Sequence, residues 1–498
     1  MTKLPPARSA VPLLEDLKCV HRGKVRDTYD LGRGLLLVVA TDAISIFDFV
    51  LNALVPQKGA VLAMMSVFWF RYLERCGFRT HLVAAGADID QYVPEHLRGN
   101  ADLQCRAIVA KRLAMIPVEF IARGYFVKSS SSFAGYPANR TICGHELPEG
   151  LQDGDEFPSF IDTPTTKAEV GHDAALNAAQ VRQQHSLATV EFLLAFGEIS
   201  RYAREKGIII ADGKGELGED ECGNIFIGDE FGTPDCCRFW DAHAWQESQK
   251  AIKRTAPVPF DKQLVRAYGI EYGVNKRDPL NPDDVALAHG VALPNSLLKA
   301  TTQTYRYIFW RLVGKTVEQY AHDELGVHVP FKKKKVAVVF GSESDIPPVL
   351  DTLKKFKEDP SFEELRVHVI SCHRNPGVLE NFALGRCQGA DVVVAAGGKA
   401  FALAGVLDAW LHWYGSRVPV VGVALGGKGP DAQMAAIAAE LSIMELPGQP
   451  VVMKVDGDVY SGTQGFAEAL EYVARGELPP PKVRQEKPAL LDIDLSKY

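Results

Sequence analysis

The sequence predicts an α+β domain over residues 1–330, an α/β doubly wound parallel-sheet domain over 331–478, and an extended tail over 479–498. Three observations carry this prediction. Strand-like and helical stretches follow one another without a fixed order through Val181. From Val336 onward, short apolar runs at 336–340, 367–370, 392–396 and 418–423 alternate with helical stretches of about ten to fifteen residues, the pattern of a parallel sheet covered by helices on both faces. Between the two patterns lies a basic run of four lysines at 332–335, a connector rather than an electrostatic site.

A length of 498 residues suits three domains or two larger ones, and 47% hydrophobic residues are enough for packed cores. The apolar runs 35–40 and 392–396 fall far below the ~18 residues of a membrane span and read as buried strands. Residues 1–12 carry Lys3 and Arg8 with no apolar stretch behind them, so no secretory leader and a cytoplasmic location are expected. A net charge of −7 without a basic stripe speaks against a nucleic-acid partner. Nine cysteines without C-x-x-C spacing read as reduced thiols, and thirteen histidines show no metal-binding spacing.

In chain order, the first chemical segment is Gly23-Lys24-Val25-Arg26-Asp27-Thr28-Tyr29, ahead of the 35–40 strand. Glycine lets backbone amides approach phosphate and Lys24 supplies a point charge. The segment is no Walker A loop, and alone it reads as a turn with a surface lysine. Next come Thr41-Asp42-Ala43-Ile44-Ser45-Ile46-Phe47-Asp48, then Lys111-Arg112-Leu113 with Ile116-Pro117-Val118-Glu119, Arg123-Gly124-Tyr125, and Thr163-Pro164-Thr165-Thr166-Lys167-Ala168-Glu169. Gly213-Lys214-Gly215-Glu216 and Gly228-Asp229-Glu230 then follow the apolar runs 208–210 and 225–227. Magnesium takes one or two carboxylates and fills its shell with water and phosphate, a need that Asp212, Glu216, Asp229 and Glu230 fit. Alone, such charges are simply solvated, but strands this apolar face a core. Asp235, Cys236, Cys237 and Arg238 come next, and apolar residues at helical period from Leu297 to Tyr320 predict one long helix, N-capped by Asn295 or Ser296.

In the second half, Gly341-Ser342-Glu343-Ser344-Asp345 follows the first strand and Ser371-Cys372-His373-Arg374-Asn375-Pro376 the second. Both fall where a doubly wound sheet places its ligand loops. Glycine and serine there offer donors to a phosphate, and a histidine can move a proton near neutral pH.

The order and spacing of the six N-terminal segments, over roughly 15–270, closely resemble the SAICAR synthetase family, the phosphoribosylaminoimidazole-succinocarboxamide synthases. That resemblance implies an ATP-binding synthetase domain that joins the carboxylate of carboxyaminoimidazole ribonucleotide (CAIR) to the amine of aspartate, giving SAICAR, ADP and phosphate. It implies ATP and Mg2+ as cofactors, with Lys24 on phosphate, Lys111 in the adenine-lining segment, and Glu216 and Asp229 on the metal and triphosphate. Lys214 becomes the catalytic charge near the reacting groups, and Arg123, Ser129 and Arg238 hold the 5′-phosphate, with Asp42, Ser45, Asp48 and Asp235 as further substrate contacts. The chain departs from the family pattern in Ala43, where an arginine is usual, and in Cys236-Cys237, where two serines are usual.

The pair G-S-x-S-D and S-x-H-R-x-P resembles the AIR carboxylase / N5-CAIR mutase family over about 335–475, including Ala396-Gly397-Gly398, Gly422-Val423 and Met444-Glu445-Leu446-Pro447. This implies a flavodoxin/Rossmann-like domain that moves a carboxylate to the imidazole C4 of aminoimidazole ribonucleotide (AIR) or its N5-carboxylated form without a cofactor. His373 would shuttle the C4 proton, and Ser342, Asp345, Ser371 and Arg374 would hold the ribose phosphate, Arg374 leaning toward the mutase branch. The family further implies a homo-oligomer, an octamer through this domain. The segment 398–403 lacks the family's histidine and Gly426-Gly427-Lys428 replaces its serine loop. Either Lys399 or Lys428 supplies charge to a rebuilt pocket, or the domain is an inert oligomerisation core under an active synthetase. The product of the second half would be the substrate of the first. An ATP-dependent phosphotransferase and a bare nucleotide-binding scaffold are the rival readings of the first half.

Overall fold

The 12-residue strand Ile208–Glu219 is the spine of the first unit, because one face is packed with glycine and apolar residues while the other carries Asp212, Lys214 and Glu216. The computed structural model describes residues 14, 16–167, 173–331, 333–398, 401–426, 432–446 and 450–480, and the chain divides into two units, 1–331 and 332–498. The spine belongs to a seven-stranded sheet in which it pairs antiparallel with Val118–Tyr125, Cys237–Asp241, Ile225–Gly228 and Ala114–Met115. The helix Ser186–Glu205 buries Phe192, Ala195, Phe196 and Ile199 in the same core as Ile208, Ile210 and Leu217. Gly213 and Gly215 permit this close approach. A Cβ on Gly213 would lie 2.5 Å from the Cys237 sulfur and 2.7 Å from the Phe196 ring, and one on Gly215 2.8 Å from the Phe231 ring.

A second antiparallel sheet runs in the order Cys19–Arg22, Arg26–Gly32, Leu35–Ala40, Ala107–Lys111, Leu82–Ala85. Behind it lies the helix Lys58–Arg75, with Val61, Leu62, Met65, Trp69, Phe70 and Leu73 buried. The unit closes with two helices where the periodicity predicts one. Asn295–Val313 ends at Gly314 in the left-handed region (φ 78°), and Val317–Leu325 restarts through a capping box made by Thr316 and Gln319. Pro294, with no side-chain cap, stands where Asn295 or Ser296 was expected to cap.

The second unit is a five-stranded, all-parallel sheet in the order Phe362–Val369, Lys334–Phe340, Val392–Gly397, Val420–Ala424, Tyr460–Ser461. Alternate residues feed two separate cores. Val336, Val338, Val392 and Val394 pack with Phe466 and Leu470, while Ala337, Val339, Val393 and Ala395 pack with Leu379 and Leu407. Burial on both faces explains why Lys334–Phe340, Val392–Gly397 and Val420–Ala424 read as continuous apolar runs. The edge strand Phe362–Val369 begins ahead of the expected 367–370 run and leaves Val367 and Val369 exposed. The helix Ala432–Met444 leaves Met434, Ile437, Leu441 and Met444 exposed. The expected tail lies outside the described residues from 481 on. Among the described residues no helix is long and apolar enough to cross a membrane.

Candidate active sites

Strand alternation sets Asp212, Lys214 and Glu216 in a row on one face of the spine, about 7 Å apart from one to the next. Each meets a different set of partners. At the Glu216 end the register opposes Glu216 to Gly228, which brings Asp229 alongside. Glu216 is paired with Lys167, whereas Asp229 accepts from an Arg26 nitrogen at 2.6 Å and Glu230 lies 2.9 Å from the other. Burial, and then the neighbouring Asp229 charge, pushes the Glu216 carboxyl above its ordinary value. Burial acts on Asp229 in the same direction, but Arg26 and Lys167 outweigh it and hold that carboxyl low. Burial would also strip the Arg26 proton, yet Asp229 and Glu230 raise its affinity above the usual value.

Glu216 and Asp229 are two neighbouring carboxylates, each paired with a cation, and among the described residues no group of three or more His, Cys, Asp or Glu side chains could hold a metal. That donor set fits magnesium carrying phosphate and water, and does not fit a site built from protein ligands alone. Asp212 was expected among the metal carboxylates. Instead one Asp212 oxygen accepts from both Arg123 and Arg238, each at 2.8 Å. The pairing explains it, since Asp212 is the cross-strand partner of Arg123 on one side and of Arg238 on the other. Arg123 also donates to Thr163 at 2.9 Å and Ser132 at 2.8 Å, with Ser130 at 3.4 Å. The serines at this guanidinium are therefore Ser130 and Ser132, while Ser129 is exposed beside them. Burial pulls the Arg123 proton affinity below the ordinary guanidinium value more than Asp212 raises it. Two guanidinium groups share one Asp212 oxygen here, Arg123 buried and Arg238 half-buried.

Between the two clusters Lys214 reaches Glu119 at 2.6 Å. Burial disfavours its charge, but Glu119 more than compensates and keeps the ammonium protonated well above the usual lysine range. The remaining residues predicted from sequence lie elsewhere. The Asp235 side chain is 3% exposed, with one oxygen 2.7 Å from Lys58 and the other accepting from the Tyr305 hydroxyl at 2.6 Å. Asp42 accepts from the Gly59 amide at 2.9 Å and an Arg106 nitrogen at 3.2 Å, and Ser45 is buried in the Ala43–Ile46 strand. Lys24 pairs with Asp48 at 2.6 Å, and Lys111 sits 3.0 Å from Asp220 and 4.5 Å over the Phe226 ring. Arg26, Glu119 and Lys167 are the site residues that the sequence reading left without a role. Arg26 opens the strand Arg26–Gly32, and Lys24 lies in the bend before it, so no alternation singled Arg26 out.

In the second unit the loops after Lys334–Phe340 and Phe362–Val369 meet at the carboxyl edge of the sheet. Ser342 caps the short turn Glu343–Asp345, whose Asp345 carboxylate accepts the Ser342 amide at 3.1 Å. Ser371 accepts the Arg374 amide at 3.2 Å, and the Arg374 guanidinium donates to the Gly341 carbonyl at 3.0 Å, tying the two loops together. His373 is exposed, and its Nδ1 lies 3.3 Å from the Cys372 sulfur. A buried Phe401 ring covers Gly397, where a Cβ would approach it to 2.7 Å. Lys399 and Lys428 lie outside the described residues.

A family model described as SAICAR synthetase matches residues 19–279, and one described as AIR carboxylase matches 335–468. The phosphoribosylaminoimidazole-succinocarboxamide synthase of Thioalkalivibrio sulfidiphilus is 38% identical over 317 residues, 60% of this chain and 96% of the relative. That of Corynebacterium ammoniagenes is 39% identical over 312 residues, 61% of this chain and 97% of the relative. Among solved structures, SAICAR synthase from Saccharomyces cerevisiae complexed with SAICAR matches with a TM-score of 0.52 at 32% identity, covering 60% of this chain and 96% of that one.

Proposed function

The chain belongs to the SAICAR synthetase family and carries an AIR carboxylase region behind it, and on that premise we propose that the face of the Ile208–Glu219 strand is where ATP activates the CAIR carboxylate for attack by aspartate. The protein is a bifunctional enzyme of purine biosynthesis, a ligase joined to a carboxylase or mutase. The observation that supports this assignment of the site is the row Asp212, Lys214, Glu216, with an arginine pair at one end and neighbouring carboxylates at the other.

A carboxylate is a poor electrophile. The γ-phosphoryl group of ATP passes to the CAIR carboxylate, ADP leaves, and the aspartate nitrogen displaces phosphate from the acyl phosphate to form the amide. Arg123 and Arg238 hold the 5′-phosphate, a task for which the guanidinium fork is suited. Lys214, kept protonated by Glu119, opposes the negative charge that gathers on the transferring group. Magnesium held by Glu216 and Asp229 would neutralise triphosphate charge at the far end of the row. Arg26 and Lys167 pair with those two carboxylates. Lys111, paired with Asp220, belongs to the 111–116 segment that would line the adenine.

In the second unit, His373 moves the C4 proton while Ser342, Asp345, Ser371 and Arg374 hold the ribose phosphate, with no cofactor and with the N5-carboxylated nucleotide as donor. The reading is supported by the Arg374 bond to Gly341, which converges both loops on one edge. The apolar stripe on Ala432–Met444 supports assembly through this unit, as an octamer. The small-molecule chemistry and the lack of a basic stripe support a cytoplasmic enzyme without nucleic-acid partners.

One experiment tests both units. ADP release by the full chain, with CAIR and ATP, is measured with and without aspartate; CAIR formation is measured from the N5-carboxylated nucleotide and from AIR with bicarbonate. Glu216→Gln should cut aspartate-dependent ADP release by about 100-fold or more, the loss typical of a group that stabilises transition-state charge. His373→Asn should abolish CAIR formation and leave ligation intact. ADP release that ignores aspartate would make the first unit a phosphotransferase, and no CAIR from either source would make the second an inert core.

A further inference from the structure

The loop that follows Phe362–Val369 is closed by its own hydrogen bonds. The Ser371 amide donates to the Asn375 side chain at 2.7 Å and the Asn375 amide returns to the Ser371 carbonyl at 3.1 Å, while Arg374 is fastened to Ser371 and to Gly341. The two residues inside this closed turn differ in exposure. Cys372 is half-buried and packs against the core that holds Leu379, Phe382 and Phe401, whereas His373 is exposed. The backbone therefore fixes where the histidine begins but not where its ring points. Among the described residues the ring has one hydrogen-bond partner, the Cys372 sulfur, 3.3 Å from Nδ1. A sulfur anchored in the core thus holds an exposed imidazole by one nitrogen and leaves the other open.

A histidine that carries a proton works best when one nitrogen both takes it and gives it up. With Nδ1–H donated to the sulfur, Nε2 presents a lone pair when the ring is neutral and a proton when it is charged. The ring then has no need to turn between the two. Sulfur is a weak acceptor, enough to orient the imidazole without competing for its proton. Burial pushes the Cys372 thiol up from its ordinary value, so the side chain stays a neutral thiol and sets no charge beside the ring. We propose that Cys372 is a positioning residue for His373: its sulfur accepts from Nδ1–H, fixes the ring and its tautomer, and leaves Nε2 to take the C4 proton. In that step the C4–H bond breaks, its electron pair returns to the imidazole of the nucleotide, and an Nε2–H bond forms. The inference rests on the reading of His373 as the proton carrier. The motif S-x-H-R-x-P leaves position 372 open, so the resemblance gives Cys372 no role.

The test uses the full chain with three substitutions: Cys372→Ala, Cys372→Ser and His373→Asn. CAIR formation is followed from the N5-carboxylated nucleotide and from AIR with bicarbonate, with hydrogen and with deuterium at C4. Alanine and serine both take the sulfur out of the core, but only the serine hydroxyl can accept from Nδ1–H. Cys372→Ala should lower kcat about tenfold, a part of the roughly 100- to 10,000-fold that a positioned acid–base group supplies in total. KM should not move, a C4 isotope effect should be expressed on kcat because proton transfer then limits turnover, and Cys372→Ser should stay near wild type. If His373→Asn abolishes CAIR formation while Cys372→Ala behaves as wild type, the inference fails and the site reading stands. Equal losses for alanine and serine, or a loss carried by KM or without an isotope effect, would reduce Cys372 to packing and overturn it. If His373→Asn still forms CAIR, or the wild type forms none, the site reading falls and takes this inference with it.

Discussion

Asp212 and Asp235 stand in one stretch of sequence, yet Asp212 is shared by two arginines in the site while Asp235 is closed off by Lys58 and Tyr305. Nothing local distinguishes them. The partners of Asp235 come from 177 and 70 residues away, and Arg26 meets Asp229 across 203 residues, so the sequence could show which carboxylates were available but not which cations would take them. The Asp235 pair is a structural bond with a measurable cost. Asp235→Asn should leave Lys58 charged, buried and unmatched, lowering stability by about 3–5 kcal/mol in chemical denaturation, and a paired Lys58→Met, Asp235→Leu replacement should recover much of it. Burial opposes the Asp235 charge, but Lys58 prevails and the folded carboxyl is held well below its ordinary value. Its stabilising contribution is therefore complete above the unfolded value of about 4 and is lost as pH falls from there through the folded one. The Asn variant should lack that part of the acid dependence.

At the scale of elements, the Ile208–Glu219 strand was legible in its apolar start, 208–210, while its full length and the charged positions at every second residue emerge from the strand pairing. The parallel sheet was legible for the complementary reason: its three central strands, buried on both faces, lose alternation and read as solid apolar runs, whereas the half-exposed edge strand Phe362–Val369 showed only its end. Periodicity failed at the closing helices, since Val317 and Tyr320 fall in phase with Asn295–Val313 across the break. Only the left-handed Gly314 and the Thr316 cap reveal the restart. Within the spine, Gly213 is a packing requirement. Gly213→Ala should press its methyl against the Cys237 sulfur and Phe196 and cost about 1–3 kcal/mol, read as a lower denaturation midpoint. Adding Cys237→Ala should return part of that loss, and a double-mutant cycle with no coupling would refute the contact.

At the scale of the whole chain, the two units host consecutive chemistry, and each was legible as a unit from its own pattern of runs. Assembly was not legible in the same way, because a helix apolar on all sides looks in sequence like one buried in its own domain. Ala432–Met444 instead buries Ala439 and Ile443 and presents Met434, Ile437, Leu441 and Met444 outward. Light scattering of the full chain should give a particle eight times the 54.5 kDa chain mass, and Met434→Asp with Ile437→Asp should yield smaller species. An unchanged particle would remove that helix from the interface. The row along the spine has one more outcome. Asp212, Lys214 and Glu216 are spaced by the pleat of a single strand rather than by loops, so under the proposed assignment the distance between anchor and reacting end would work as a gauge of substrate length. A nucleoside stripped of its phosphate would fall short of one mark and go unprocessed even where its imidazole fits.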